Sequence, residues 1–157
     1  MISTEQIKEL RERTGFSIQQ IRLALEEAKG LNLTGSDLTD KALELLKAKG
    51  AEIAMKKGDR TLGSGVVSAY IHSGDGVGAM VELLCETDFV AKNPEFKATA
   101  KDIAMHVAAM NPADVGELLE QPFIKGSGSS VGELVNGVVQ KFGERTEIGK
   151  FTRFSIN

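Results

Sequence analysis

The chain has 157 residues and a mass of 16.8 kDa, the size of one domain or of a small domain joined to a second small core. With 41% hydrophobic and 26% charged residues, its composition is that of a chain that folds and differs from that of disordered chains. The formal net charge of −3 provides no general attraction for phosphate backbones, so direct nucleic-acid binding is not expected.

Cysteine content and hydropathy indicate the compartment. The single cysteine, Cys85, cannot form a disulfide within the chain and cannot build a thiolate metal site alone. The segment MISTEQIKEL lacks the apolar region of a secretory signal, and no run approaches the roughly 18 apolar residues of a membrane span. The sequence therefore predicts a cytoplasmic protein that does not bind membranes.

Residues 1–50 carry the pattern of three short helices. Two of them begin with a capping box, in which a Ser and a Gln three residues later bond each other's backbone amides. The pairs are Ser3 with Gln6 and Ser17 with Gln20. The third helix is expected from about Asp40 to Gly50. Because each helix is too short to be stable alone, their apolar faces should pack together.

The pattern changes after residue 50. Residues 51–64 are basic and interrupted by glycines, which predicts a short helix followed by a linker. From Gly65 apolar residues alternate in two runs separated by SGDG, which predicts a β-hairpin. A helix capped by Asn93 and Pro94, a second helix over about 131–142 and a strand over about 148–156 follow.

The predicted fold class is therefore α+β. It has a three-helix domain over 1–50, a basic helical linker over 51–64, and a core and dimerisation domain over 65–157. The core holds a small three-stranded antiparallel sheet and two helices. In its hairpin both faces are partly apolar, since Val67 and Ile71 point one way and Val66 and Tyr70 the other. Helices can cover one face, so a homodimer through the core sheet is expected to cover the other.

The glycine-rich stretches do not match nucleotide-binding motifs. GDRTLGSG and GSGSSVGE lack the Gly-Lys-Ser/Thr ending of a P-loop, and GDGVG lies within the hairpin. Cys85 with His72 or His106 could form a thiol nucleophile and its base. A cysteine that alternates with Val81 and Leu83 on one face of a strand is, however, normally buried and inert. No cofactor and no metal ion are expected.

The segment ETDFVAKN, residues 86–93, leaves a strand and enters the helix capped by Asn93. At such a junction an aromatic side chain usually folds back onto the core, and Asp88 or Asn93 usually caps a helix. Phe89 could instead be exposed beside Asp88 and insert into a pocket of a partner. The pattern alone leaves both interpretations open.

Four segments resemble one known family in the same order. CETDFVAKN is similar to the hallmark segment of bacterial elongation factor Ts, the guanine-nucleotide exchange factor for elongation factor Tu. KELRERTG resembles part of that family's ubiquitin-associated-like N-terminal domain, IAMHVAAMNP its core helix, and EQPFIK the segment before its C-terminal part. Between Pro112 and Glu120 the chain lacks a longer helical region that is usual in the family. It therefore resembles a trimmed version of the short, single-core, dimer-forming type.

This resemblance implies a role in translation elongation with elongation factor Tu as the partner, in its GDP-bound and nucleotide-free states. It also implies that the chain is not an enzyme, because exchange makes and breaks no covalent bond. Asp88 and Phe89 would insert into the G domain and disturb its magnesium and phosphate site, with Thr87 and Val90 in the same loop. His106 would contact the same domain. The N-terminal helices would dock on its other side through basic side chains, which are Lys8, Arg11 and Arg22.

Two other functions remain compatible with the sequence. A protein- or peptide-binding module could act through the N-terminal three-helix domain, and it would bind without the core. A thiol-dependent hydrolase would lose its activity on Cys85→Ala, whereas an exchange factor should not.

Overall fold

The computed structural model describes residues 1–126 and 128–156. Within these ranges, seven helices and one three-stranded sheet confirm the α+β class. The helices are α1 (Thr4–Thr14), α2 (Ile18–Lys29), α3 (Gly35–Lys56), α4 (Asp88–Ala91), α5 (Pro94–Met110), α6 (Val115–Glu120) and α7 (Val131–Phe142). The strands are β1 (Ser64–Ile71), β2 (Val77–Cys85) and β3 (Glu147–Ser155). The short helices α4 and α6 are additions that the sequence pattern does not predict.

The helices α1, α2 and α3 form one apolar cluster. Both predicted capping boxes are present, with the hydroxyl of Ser3 accepting from the Gln6 amide at 3.1 Å and that of Ser17 accepting from the Gln20 amide at 3.3 Å. The apolar faces of the three helices meet around large side chains that are almost fully buried, which are Leu10, Phe16, Ile21, Leu25 and Leu46. Local caps and tertiary packing together hold these helices in place.

The third helix differs from its prediction at both ends. It begins at Gly35 rather than near Asp40 and runs for 22 residues to Lys56. The predicted end at Gly50 is wrong, because the helix continues to Lys56. Gly50 is buried on the side of α3 that meets Phe16, where a Cβ would lie at the ordinary contact distance of 3.6 Å from the ring, and the following residues AEIAMK are mostly good helix formers.

The sheet has the order β1-β2-β3, and both neighbouring pairs are antiparallel. Its inner face packs against α5, where Val81 and Leu83 of β2 share a cluster with Phe96 and Ile103. The outer face also carries apolar side chains, as predicted, and they are exposed. They are Val67, Ile71, Met80 and Phe154. In the part of the chain that the structure describes, no helix is both long and apolar enough to span a bilayer.

The N-terminal helices pack against α7 through two glycines. Gly15, with φ +72°, lies so close to α7 that a Cβ on it would be 2.7 Å from the carbonyl oxygen of Gly137. Beside this contact, Lys47 of α3 and Glu133 of α7 form an ion pair at 2.8 Å. The close approach of the two backbones fixes the end of α1 on the core.

Candidate partner-binding site

The segment that follows β2 forms a short exposed turn of helix. β2 ends at Cys85, and α4 then contains only four residues, from Asp88 to Ala91. A helix of one turn is not stable alone, so its orientation depends on its contacts with the rest of the protein. Val90 and Ala91 supply two of these contacts, since both are buried in the core beneath α4.

Phe89 does not fold back onto the core. Its side chain is 84% exposed, although Val90 beside it is buried. Full burial of a Phe side chain is worth about 1.5 to 3 kcal/mol, and this ring forgoes nearly all of it in the isolated chain. Of the two interpretations that the sequence leaves open, the exposed ring is the one observed.

Asp88, the first residue of α4, forms an ion pair with Lys92, the residue that follows this helix. Its Oδ2 lies 2.7 Å from Nζ of Lys92, one turn further along the chain. The hydrogen bond and charge of Lys92 lower the pKa of Asp88, and the same pair raises the pKa of Lys92. Both groups are exposed, so salt and water weaken the pair. Asp88 is therefore ionised at neutral pH and can exchange Lys92 for another cation.

Asn93 caps the next helix, α5, as the sequence predicts. Its Oδ1 accepts from the amide of Glu95 at 2.9 Å, and Pro94 occupies the first helical position. Thr87, on the other side of α4, donates its hydroxyl to Oε1 of Glu144 at 2.5 Å. The exposed turn is thus fixed at both of its ends.

His106 is fully buried on α5 and does not reach the surface. Its Nδ1 accepts from the amide of Ile124 at 3.3 Å, which assigns the proton to Nε2. That nitrogen then donates to Oε1 of Gln121 at 2.9 Å, and the ring stacks on Phe123 at 5.8 Å between centroids. The structure therefore joins His106 to residues 121–124 and not to α4.

The three basic residues of the N-terminal helices are exposed. Lys8 and Arg11 of α1 line an open cleft, and its lining also includes Lys141 of α7 and Glu95 in the first turn of α5. Glu95 follows the segment 86–93 that carries Phe89, so the cleft begins close along the chain to that segment. Arg22, on α2, does not line this cleft.

Cys85 has the properties of a structural thiol. It is fully buried, and its Sγ donates to the carbonyl oxygen of Thr87 at 3.2 Å. Burial, and then the nearby charge of Glu144, raise the pKa of Cys85 above its ordinary value. The two histidines are engaged elsewhere, His72 with the hydroxyl of Tyr70 and His106 with Gln121. These contacts disfavour a thiol nucleophile activated by histidine.

The described ranges, 1–126 and 128–156, also contain no cluster of side chains that could bind a metal ion. No group of three or more His, Cys, Asp or Glu side chains is placed there to hold a metal ion.

The residue that sequence reasoning missed at this site is Glu144, which is separated from Thr87 by 57 positions. No local pattern signals such a contact, because it depends on how α7 and β3 pack beside the loop.

Comparison with known proteins places the chain in one family. Residues 86–157 match the family model described as Elongation factor TS. The chain is 38% identical to elongation factor Ts of Carboxydothermus hydrogenoformans, over 99% of this chain and 89% of the relative. It is 34% identical to that of Thermodesulfovibrio yellowstonii, over 99% and 96%, and 40% identical to that of Clostridium acetobutylicum, over 99% and 48%.

The alignment with the Carboxydothermus relative spans 201 positions, more than the 157 residues of this chain. That relative therefore contains residues with no counterpart here, as the shortened family pattern implies. The identity nevertheless extends over nearly the whole chain and includes the segment that carries Phe89. On these grounds the chain belongs to the elongation factor Ts family.

Proposed function

We propose that this member of a translation elongation factor family is a guanine-nucleotide exchange factor for elongation factor Tu. The observation that carries the proposal is the exposed ring of Phe89 on α4, whose neighbour Val90 is anchored in the core. A large apolar side chain presented in this way suits insertion into a pocket of another protein.

Exchange requires a preference between two states of the partner. A GTPase holds GDP through contacts of backbone amides and lysine with the phosphates and through a bound magnesium ion. A factor speeds GDP release only if it binds the nucleotide-free conformation better than the GDP-bound one. Moving such an equilibrium from about 1:99 to 99:1 requires about 5.5 kcal/mol of preference.

The loop at Asp88 and Phe89 supplies part of this preference. Insertion of the Phe89 ring between helices of the G domain would contribute about 1.5 to 3 kcal/mol, the value of burying a Phe side chain. Asp88 would exchange its exposed ion pair with Lys92 for a group near the magnesium and phosphate site. Because about 5.5 kcal/mol is needed, the loop is not sufficient alone and a second contact must contribute.

The N-terminal helices provide that second contact. Lys8, Arg11 and Arg22 are exposed cations that would dock on an acidic surface of the same G domain. The ion pair of Lys8 with Glu12 is long, at 4.0 Å, and exposed, so little is lost when Lys8 turns to a partner. His106, which is buried, would act on the partner through the segment it holds, residues 121–124.

The outer face of the sheet is assigned to self-association. Ile71, Met80 and Phe154 are exposed there, together with Val67. The strand register brings Ile71 opposite Gly78 and Gly78 opposite Phe154, so these side chains form a continuous patch across three strands. Apolar patches of this kind mark interfaces, and a symmetric homodimer through the core sheet covers the patch.

The proposed mechanism uses contacts only. No covalent step, cofactor, membrane or nucleic-acid contact is part of it, and Cys85 serves packing. The partner's own nucleotide and magnesium ion are what the contacts act upon.

The direct test is release of a fluorescent GDP analogue from purified elongation factor Tu in the presence of this chain. An exchange factor accelerates release many-fold in a concentration-dependent manner, and an unrelated protein of similar charge does not. No acceleration by the folded chain would contradict the proposal.

The same assay separates the alternative of a binding module acting through the N-terminal helices. The double variant Lys8→Glu/Arg11→Glu should weaken binding of elongation factor Tu but leave residual exchange at saturating factor. If the module alone binds the partner, these charge reversals abolish the interaction, whereas changes in the Phe89 loop have no effect.

A further inference from the structure

The loop that carries Phe89 is held by a carboxylate from a distant part of the chain. Glu144 lies between α7 and β3. Its Oε2 accepts from the backbone amides of Glu86 and Thr87, both at 3.0 Å, and its Oε1 accepts from the Thr87 hydroxyl at 2.5 Å. A single carboxylate thus binds three donors in the two residues that precede Asp88.

The contact between residues 86–87 and residues 144–145 is reciprocal, because Glu86 in turn accepts from the backbone of Arg145. Oε1 of Glu86 accepts from the amide of Arg145 at 2.6 Å and from Nη1 of Arg60 at 3.3 Å. The hydrogen bond from the Arg145 amide is the largest cause that lowers the pKa of Glu86, so this carboxylate is ionised at neutral pH. Residues 86–87 and 144–145 are therefore joined in both directions, each by a carboxylate that accepts from the other segment's backbone. Charge-assisted bonds of this kind are among the stronger hydrogen bonds in proteins.

Thr87 gives up a local interaction in this arrangement. It occupies the N-cap position of α4, where a Thr side chain normally accepts from an amide of the first turn, yet it makes no such bond. Its hydroxyl is turned to Glu144 instead, and its carbonyl accepts from Cys85 Sγ and from the amide of Ala91, both at 3.2 Å. Every polar group of Thr87 is engaged, so the residue before Asp88 is fixed in position.

We propose that Glu144 is a positioning residue for nucleotide exchange. Its carboxylate fixes the backbone at Glu86 and Thr87 so that α4 presents Phe89 to the partner in one orientation. The inference rests on the function proposed above. In this role Glu144 acts through the loop and not by contact with the partner, since its oxygens accept three hydrogen bonds from Glu86 and Thr87. If α4 is already ordered in the free chain, less conformational entropy is lost when Phe89 inserts into the partner. More of the free energy gained by burying the ring then remains for exchange.

The first experiment measures the loop in the isolated chain and does not depend on any exchange activity. Hydrogen exchange of single amides is followed by NMR in the unchanged chain, in Glu144→Ala and in Glu144→Gln. The matched control is Glu147→Gln, since Glu147 is a nearby carboxylate that pairs with the side chain of Arg145. The amide of Thr87 should lose protection at least about tenfold in Glu144→Ala and less in Glu144→Gln, which keeps one acceptor oxygen. Unchanged protection in both variants would overturn the proposal.

The second experiment is a double-mutant cycle in the GDP-release assay. Glu144→Ala should lower the maximal stimulated rate about tenfold, with a smaller loss for Glu144→Gln and none for Glu147→Gln. In a Phe89→Ala background the Glu144 substitution should cost less than about twofold, because there is no longer a ring to orient. A merely structural role would leave the two losses additive, and additivity would overturn the proposal. If Glu144→Ala does not fold, Glu144→Gln is used in the same cycle.

The two experiments separate the two proposals. If the unchanged chain accelerates GDP release and the Glu144 variants release it equally fast, the positioning role is overturned and the exchange function stands. If the unchanged chain does not accelerate release, the exchange function is overturned and the positioning role in exchange with it. This holds even if Glu144→Ala lowers the hydrogen-exchange protection of the Thr87 amide.

Discussion

Removal of the ring of Phe89 is the most direct perturbation of the proposed site. Because the side chain is 84% exposed, Phe89→Ala removes little buried area from the folded chain. At about 1.5 to 3 kcal/mol for complete burial, its buried fraction contributes about 0.5 kcal/mol or less to stability. The melting temperature should therefore change by no more than about 2 °C for a chain of this length.

The effect on exchange should be much larger. If the ring becomes fully buried only in the nucleotide-free partner, the variant loses about 1.5 to 3 kcal/mol of preference for that state. Since about 1.4 kcal/mol is a factor of ten, stimulated GDP release should fall about 10- to 100-fold. The loss should be in the maximal rate at saturating factor, because the interaction is absent from the complex with GDP-bound partner.

The matched control is Phe154→Ala, which removes the same ring from another exposed position, on the outer face of the sheet. Its maximal rate per chain should stay within about twofold of the unchanged protein. The reasoning would be refuted if Phe89→Ala retained a rate within twofold of the unchanged chain, or if both variants lost activity equally. If the variant needed a higher concentration to stimulate release but reached the same maximal rate, the ring would bind both states of the partner equally well.

Other predictions concern the scaffold and the thiol. Gly15→Ala should lower the free energy of unfolding by more than Gly143→Ala, because both have φ +72° but only the first places a Cβ 2.7 Å from a backbone oxygen; equal losses in denaturant titrations would contradict the packing argument. Ile71→Asp should shift the sedimentation mass from dimer to that of a folded monomer, and an unchanged dimer mass would exclude this face as the interface. His106→Ala should destabilise the fold by about 2 to 4 kcal/mol, measured in urea, since it leaves a cavity and unpaired polar groups; reduced exchange with unchanged stability would instead indicate direct contact. Because Cys85 is buried and its pKa is raised, the thiol should be alkylated much more slowly in the native chain than in the chain unfolded in urea at about pH 8.5; equal rates would contradict the burial argument.

Local signals predicted most of the fold. The capping pairs that begin with Ser3 and Ser17 involve residues three apart, so the sequence contains the whole interaction. The hairpin and α5 follow from alternation and from Asn93-Pro94 in the same way. Gly50 misled the prediction because a glycine often ends a helix, whereas here it lies inside α3 on the side that packs against Phe16, a residue of the connection between α1 and α2.

The candidate site was only partly accessible to sequence reasoning. The resemblance of the segment 86–93 put forward Asp88 and Phe89 as partner-binding residues, but periodicity could not decide whether the ring is buried or exposed, since that depends on how Val90 packs into the core. His106 is buried beneath residues 121–124, which lie outside α5. The periodicity of α5 therefore could not predict these contacts. The hydrogen bonds of Glu144 join segments 57 residues apart, and only the folded sheet brings them together.

The contact between Gly15 and Gly137 has a consequence for the kinetics of association. The close approach of the two backbones, and the ion pair between Lys47 of α3 and Glu133 of α7, hold the N-terminal helices against the core at this junction. If the proposed contacts hold, a chain that binds its partner through the cations of α1 keeps Phe89 at a high effective concentration near the second contact. Substitutions that loosen the glycine contact should lower that effective concentration. They would shorten the lifetime of the complex even though no residue that touches the partner has changed.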